Sequence, residues 1–437
     1  MIEREPIAVI AGARTPLIKA FTQLQDWSAV DLGVHAVSAA VEQASSRREH
    51  FSIRDVDSLV MGNVAGPPEA ANVARVIALG AGHPKDRVAH TVNRNCASGM
   101  ESIVSAWDSI LLGRAGVVVA GGTESMSQIP MLFHRDAQSL WMQLARAKTM
   151  SRRLSVLAQF RPRHFRPVVG IELGLTDPVS GLNMGETAEV LAKEFAITRD
   201  QQDEFALESH RKAAEARERC FLSGEIKPVA IPGGDSVSRD NGPRDGQSME
   251  QLSRLRPIFA VPGTVTPGNS CPLTDGAAAL VLAGLEQAKS FGEPLGYITD
   301  VAISGCDPSR MGLGPVYATA KLLKQTGLAM TDFDRIELNE AFAAQVIACQ
   351  QAAESKRFAT EELDRSHPLG GFDPDRMNVN GGAIALGHPV GTTGTRLVLT
   401  LLRSLRESGG HMGLATLCVG GGQGVSMVVR TRLETKA

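Results

Sequence analysis

The chain predicts a layered α/β fold built from two similar halves, with a third region inserted between them. Three observations carry this reading. Short apolar strands alternate with amphipathic helices in the first and last thirds, the pattern of helices packed against a mostly parallel sheet. An order of elements occurs twice: Cys96–Leu112 reads as a helix, Gly116–Ala120 as an apolar strand, and Gly121-Gly122 closes it, while Gly391–Leu405, Gly413–Leu417 and the glycines after Cys418 repeat the sequence. Asp55-Val56-Asp57-Ser58-Leu59 likewise echoes Asp332-Phe333-Asp334-Arg335-Ile336. Finally, residues 126 to about 261 break the alternation with charged helices and a Gly/Asp/Ser-rich loop.

In order, Ile7–Ala11 reads as a buried strand closed by Gly12–Pro16. Ala29–Ser45 reads as a helix, Ser58–Met61 as a strand and Val73–Ala81 as a helix. The inserted region opens with a cationic stretch from His134 to Arg166, carrying Arg135, Arg146, Lys148, Arg152, Arg153, Arg161, Arg163 and Arg166 against Asp136. A long charged helix, Arg199–Arg219, follows, and Pro232–Gly246 reads as loop. The second half resumes with strand Gly296–Ser304, helix Val316–Gly327, strand Arg335–Leu338 and a helix from Glu340. It ends with the repeated helix, strand Gly413–Leu417 and strand Val425–Val429. The expected organisation is 1–125 with 262–290 as one half, 126–261 as the insertion, and 291–437 as the other half.

Composition narrows the function. A chain of 437 residues has ample core for several domains. A net charge of −2 gives no global reason to expect nucleic acid. No apolar run is long enough to span a membrane. Met1–Glu5 is charged and runs straight into a strand, unlike a secretory segment. The six cysteines form no CxxC pair or zinc spacing, so no metal is expected, and free thiols in a reducing cytoplasm are.

Cys96 falls at or just before the first turn of its helix, where free N–H groups and the helix dipole favour a thiolate and lower the thiol pKa. His388, between Gly387 and Pro389, stands ahead of the equivalent helix in the other half. Cys418 ends a strand and leads into Gly420-Gly421-Gly422, whose bare N–H groups can approach an oxyanion closely. Two cysteines and a histidine suggest covalent thiol catalysis with the second thiol doing acid/base work. A dinucleotide loop fits the glycines less well, because a strand rather than a helix follows them.

These motifs resemble the thiolase family. The likeness runs through Asn93–Gly99, Gly121–Ser127, Asn183–Glu189, Gly263–Asn269, Asn339–Phe342, Asn378–Pro389 and Cys418–Gly422, in order along essentially the whole chain. It implies a five-layered αβαβα fold from two halves with an inserted loop domain. It implies Cys96 as the acyl-accepting nucleophile, Cys418 as the acid/base at the α-carbon, and His388 as the group activating Cys96. His388 with a water on Asn339 is implied to form one oxyanion hole, and the N–H groups of Cys96 and Gly420 a second. Coenzyme A and acyl-CoA are implied as substrates, with no bound cofactor. The matching contact positions are Met184, Phe259, Arg244 and Leu273, and Cys271 stands where the family usually has Ser or Thr.

The length, the basic stretch 134–166 and the Ser366–Asn378 insertion resemble the fatty-acid oxidation branch related to the β subunit of the trifunctional complex. Asn339 and the full glycine triplet resemble the acetoacetyl-specific branch instead. The resemblance implies a homodimer or homotetramer, and a hydratase/dehydrogenase α subunit or an anionic membrane surface as candidate partners for 134–166. A decarboxylating ketoacyl synthase and a non-catalytic CoA- or lipid-binding relative are the competing readings.

Overall fold

A computed structural model describes residues 5–231 and 233–433. Met1–Arg4, the first residue of the Pro232–Gly246 loop and the end of the 291–437 half lie outside the described residues. The first half contributes β1 (Ile7–Arg14), β2 (Ser58–Gly62), β3 (Val88–Val92), β4 (Val117–Glu124) and β5 (Thr274–Ala283). Its helices are α1 (Ala29–Ser45), α2 (Val73–Gly80) and α3 (Ser98–Leu111). The second half contributes β6 (Gly296–Gly305), β7 (Arg335–Leu338), β8 (Met412–Val419) and β9 (Gln423–Arg430). Its helices are α4 (Gly314–Thr326), α5 (Ala343–Glu354) and α6 (Thr393–Ser408).

The strands lie in the order β7-β8-β9-β6-β1-β5-β4-β2-β3, with the short strand Ile18–Lys19 pairing β5 at the margin. Numbered within its own half, each series runs first, fifth, fourth, second. The first half completes the series with β3 and the second with a parallel bridge from Ile336 to Met377. The duplication legible in the sequence is therefore a duplication of topology.

The sheet is not mostly parallel. Among these nine strands, the ladders β2–β3, β2–β4 and β7–β8 are parallel, whereas β1–β5, β5–β4, β1–β6, β6–β9 and β8–β9 are antiparallel. The cause at β8–β9 is connection length. Gly420–Gly422 is a hairpin turn, and a parallel pair needs a crossover of a dozen residues or more. The first three strands of each half follow the alternating strand–helix rhythm, and the returning fifth strand reverses the direction.

Alternation along the strands separates the layers. In β1, Ala8 and Ile10 pack with α1 while Ile7 and Val9 face α3 and α6. In β8, Leu414 and Cys418 pack towards α4 and α5 while Ala415 and Leu417 face the central helices. The result is helix, sheet, helix pair, sheet, helix. Within the insertion, helices Arg135–Arg146 and Met150–Leu157 carry Arg135, Arg146, Arg152 and Arg153 of the cationic stretch, a short turn at Pro162–Phe165 carries Arg163, and Arg199–Glu218 is the long charged helix.

The central helices α3 and α6 touch almost backbone to backbone. A Cβ on Gly99 would stand 2.7 Å from the backbone nitrogen of Thr395, and a Cβ on Gly394 would collide with the backbone nitrogen of Met100. Only glycine permits this approach. Gly99→Val should therefore destabilise the protein by about 1–3 kcal/mol or more through overpacking. An unchanged midpoint in thermal or urea unfolding would contradict the backbone contact.

Candidate active site

The turn ahead of α3 is built from its own polar side chains. Ser98 Oγ accepts from the N–H of Arg94 at 2.9 Å and donates to the carbonyl of Asn95 at 2.7 Å. Asn95 adopts a φ of 43°, a left-handed conformation that Asn tolerates better than most residues. Its amide donates to the carbonyl of Gly420 at 2.7 Å. Arg94 pairs with Glu101 at 2.6 Å and donates to Gln423 at 2.9 Å. The Cys96 turn of one half is thus tied to the glycine hairpin of the other. Gly421 and Gly422 have φ of 88° and 79°, which suits that turn to glycine.

Cys96 lies two residues ahead of α3 rather than in its first turn. It is half-buried, and burial pushes its thiol up from the ordinary value, opposed by hydrogen bonds from the N–H groups of Gly420 and Cys96 itself. Nearby Glu124 pushes in the same direction as burial. The expected lowering by the helix terminus is therefore overturned: desolvation exceeds the contribution of the local N–H groups.

Cys418 is buried near the end of β8, and burial, reinforced by Cys96 and the neighbouring thiols, raises its pKa well above the ordinary value. His388 is buried and held down to about 3 by desolvation, with a contribution from Arg396. Its Nδ1 lies 2.6 Å from Thr393 Oγ, which donates to the carbonyl of Pro389 at 3.1 Å. That pattern assigns the proton to Nδ1 and leaves Nε2 as a bare acceptor. Asn339 Nδ2 stands 3.5 Å from Nε2, and the Asn339 N–H donates to the carbonyl of Thr416 at 3.0 Å, two residues from Cys418. Asn339 Oδ1 is buried without a hydrogen-bond partner.

Cys96, Met184 and Gly420 line one cavity of about 520 Å³. Its walls include Met126, Ile129, Leu132, Ile171, Leu173 and Val390. Phe259 packs its ring over Gly185 and edge-on to Phe342, with centroids 6.1 Å apart. Cys271 is half-buried beside the Asn339–Phe342 loop, its N–H donating to the carbonyl of Ala341 at 3.0 Å; burial and Cys96 push its thiol up to about 12. The carbonyl of Leu273 accepts from the N–H of Ala20 at 2.9 Å. Arg244 is exposed, away from the cavity around Cys96.

Sequence reasoning assigned no role to Thr393, Asn95 or Glu124. Glu124 is fully buried at the end of β4 and accepts from the N–H groups of Val64 at 3.0 Å, Ala65 at 3.1 Å and Gly391 at 3.0 Å. Burial pushes it up to about 7 against these bonds. It clamps cavity-lining loops from both halves. Its signal was present: a single carboxylate closing an apolar strand must be satisfied by converging donors.

A model of the thiolase N-terminal domain matches residues 7–286, and one of the thiolase C-terminal domain matches 292–431. A 3-ketoacyl-CoA thiolase of Yersinia enterocolitica is 39% identical over 97% of this chain and 96% of its own. The mitochondrial trifunctional enzyme subunit beta of Bos taurus is 38% identical over 97% of this chain and 88% of its own. Among solved structures, the acetyl-CoA acetyltransferase of Bacillus anthracis superposes with a TM-score of 0.84 at 34% identity, covering 98% of this chain and 100% of that one. Human mitochondrial 3-ketoacyl-CoA thiolase in complex with CoA superposes with a TM-score of 0.82 at 35% identity, covering 98% of each chain. The chain belongs to the thiolase family.

Proposed function

We propose that the protein is a 3-ketoacyl-CoA thiolase (acetyl-CoA C-acyltransferase), cleaving 3-ketoacyl-CoA with CoA in fatty-acid β-oxidation. The observation that carries this is the apolar cavity opening at Cys96, a site shaped for an acyl chain next to a thiol nucleophile. Cys96 Sγ attacks the 3-keto carbon while His388 Nε2 takes the thiol proton. The bond between C2 and C3 breaks, and the acetyl-CoA enolate is protonated at C2 by Cys418. Free CoA then gives its proton to Cys418, attacks the acyl-Cys96 thioester and leaves as the shortened acyl-CoA, while Cys96 recovers its proton through His388. This is ping-pong transfer.

The N–H groups of Cys96 and Gly420 already serve the sulfur and form the oxyanion hole for the tetrahedral intermediates, with about 3 kcal/mol expected per donor. The enolate oxygen is stabilised by His388 Nε2, which by then carries the thiol proton, and by a water that Asn339 would hold at its unpartnered Oδ1. Met184, Phe259, Cys271 and Leu273 line the pantetheine route, and Arg244 meets the nucleotide end.

A second reading, acetyl-CoA C-acetyltransferase, is favoured by Asn339 and the glycine triplet. The cavity argues for longer chains. Each methylene buried there contributes about 0.8 kcal/mol, so kcat/KM for 3-ketooctanoyl-CoA should exceed that for acetoacetyl-CoA at least tenfold. Equal values, or preference for acetoacetyl-CoA, would support the four-carbon reading.

The protein acts as a homodimer or homotetramer in the reducing cytoplasm, where its thiols stay free. By analogy with a trifunctional enzyme subunit, it joins a hydratase/dehydrogenase partner. Residues 131–166 expose Met131, Phe133, Trp141, Met150, Leu154 and Phe165 among the cations, a composition suited to an anionic membrane surface. Reversing Arg152, Arg153, Arg161 and Arg163 to Glu should abolish co-sedimentation with phosphatidylglycerol vesicles. Undiminished co-sedimentation sinks the membrane reading.

Protonation supplies a further prediction. His388 stays neutral down to about 3, and the Cys96 thiol lies above its ordinary value. Alkylation of Cys96 by iodoacetamide should keep rising beyond about pH 9, with no inflection near the ordinary imidazole value of about 6.5. A plateau reached below neutral pH would instead reveal a thiolate–imidazolium pair.

A further inference from the structure

The cavity that opens at Cys96 is walled mainly by apolar side chains, yet a carboxylate stands in its wall. Among the described residues lining it, only Asp177 carries a formal charge. Asp177 is 4% exposed. A carboxylate so far withdrawn from water needs donors or a cation to offset the lost hydration.

The loop that carries Asp177 holds it in place. The N–H of Asp177 donates to the carbonyl of Leu182 at 2.9 Å, and the N–H of Gly181 donates back to the carbonyl of Asp177 at 2.9 Å. An antiparallel bridge joins Thr176 to Asn183, and the N–H of Met184 donates to the carbonyl of Leu175 at 2.8 Å. The result is a closed hairpin directly ahead of the helix Met184–Glu194. Within it, Asp177 Oδ1 accepts from the N–H of Val179 at 3.0 Å, the N–H of Ser180 at 2.7 Å and the hydroxyl of Ser180 at 3.0 Å. Those bonds, led by the Ser180 N–H, hold Asp177 below the usual carboxylate range, so it is charged at neutral pH.

All three donors go to one oxygen. Among the described residues, Oδ2 accepts no hydrogen bond. It lies towards the glycine hairpin: a Cβ placed on Gly421 would stand 3.9 Å from Asp177 Oδ2 and 3.8 Å from Asn95 Nδ2. The neighbouring Gly420 is the residue whose N–H serves the Cys96 sulfur. Arg94, the cation of the Cys96 turn, is engaged by Glu101 at 2.6 Å. The cavity thus presents a negative charge, unbalanced by any lining cation, close to where an acyl chain leaves Cys96. A second carboxylate entering that space meets like charge in surroundings that screen it poorly, whereas an uncharged or cationic chain end does not.

We propose that Asp177 is a specificity-determining residue that excludes 3-ketoacyl chains ending in a carboxylate and admits chains ending in a methyl group or a cation. The assignment deepens the thiolase reading above and rests on it. Asp177 takes no part in bond making: Oδ1 braces the hairpin, and Oδ2 sets the charge of the cavity wall. Asn at this position keeps an acceptor for the hairpin N–H groups and removes the charge, so it separates the two roles.

The test is thiolysis by the wild-type protein and the D177N variant of 3-ketohexanoyl-CoA, of 3-ketoadipyl-CoA, which ends in a carboxylate, and of 6-trimethylammonio-3-ketohexanoyl-CoA, which ends in a cation. The wild-type protein should favour the cationic chain over the carboxylate chain by about tenfold or more in kcat/KM. In D177N, the ratio of kcat/KM for 3-ketoadipyl-CoA to that for 3-ketohexanoyl-CoA should rise by about tenfold or more, and the preference for the cation should fall. If Asp177 only braces its hairpin, D177N lowers all three values together and leaves the ratios unchanged, which overturns the assignment. Equal rejection of both charged chains by the wild-type protein overturns it too, and that comparison decides if D177N fails to fold. A wild-type protein that cleaves none of the three overturns the thiolase reading and this assignment with it. One that cleaves 3-ketohexanoyl-CoA and fails only the charge comparisons overturns the assignment alone.

Discussion

The crossing of α3 and α6 at Gly99 and Gly394 is the contact on which the site depends. Each helix comes from a different half, and each follows a turn that holds a residue of the proposed mechanism: Cys96 before α3, His388 before α6. With Thr395 nitrogen occupying the space a Gly99 side chain would need, the two helix starts are brought together and the two turns with them. Thr395 Oγ donates to the carbonyl of Gly99 at 3.1 Å and secures the crossing. A duplicated fold thereby makes one asymmetric site from two related corners.

The polar links at that junction are shared between the halves. Asn95 reaches the hairpin of Gly420, Arg94 reaches Gln423, and Glu124 gathers N–H groups from the 64–65 loop and from Gly391. Glu124 is fully buried, so misplacement of either half strips its carboxylate of donors at a cost of about 1–3 kcal/mol for each bond lost. The same burial that makes these bonds valuable keeps the thiols and the imidazole neutral.

Much of this was legible in the sequence. The helix Ala29–Ser45 emerges with the same bounds, because Ser28 and Asp31 form a capping box at its start. The repeat of helix, strand and glycines correctly indicated two related halves. Two features were hidden by their tertiary origin. The antiparallel fifth strands depend on which connections are too short to cross over, and apolar composition does not reveal strand direction. The Cys96 pKa depends on desolvation in the folded chain, whereas the sequence displays only the local helix start. The strand Gly116–Ala120 ran on through Gly121-Gly122 to Glu124, since glycine at a crowded sheet position is close packing rather than a turn.

The central claim is that acyl transfer passes through a thioester on Cys96. The most direct measurement is peptide mapping by mass spectrometry after incubating the protein with 3-ketooctanoyl-CoA, without free CoA, and quenching in acid. The account predicts a hexanoyl group on the peptide containing Cys96 and its disappearance when CoA is added before the quench. An acyl group on Cys418 or Cys271 with Cys96 unmodified, or turnover with no acyl-protein at any time, would contradict it.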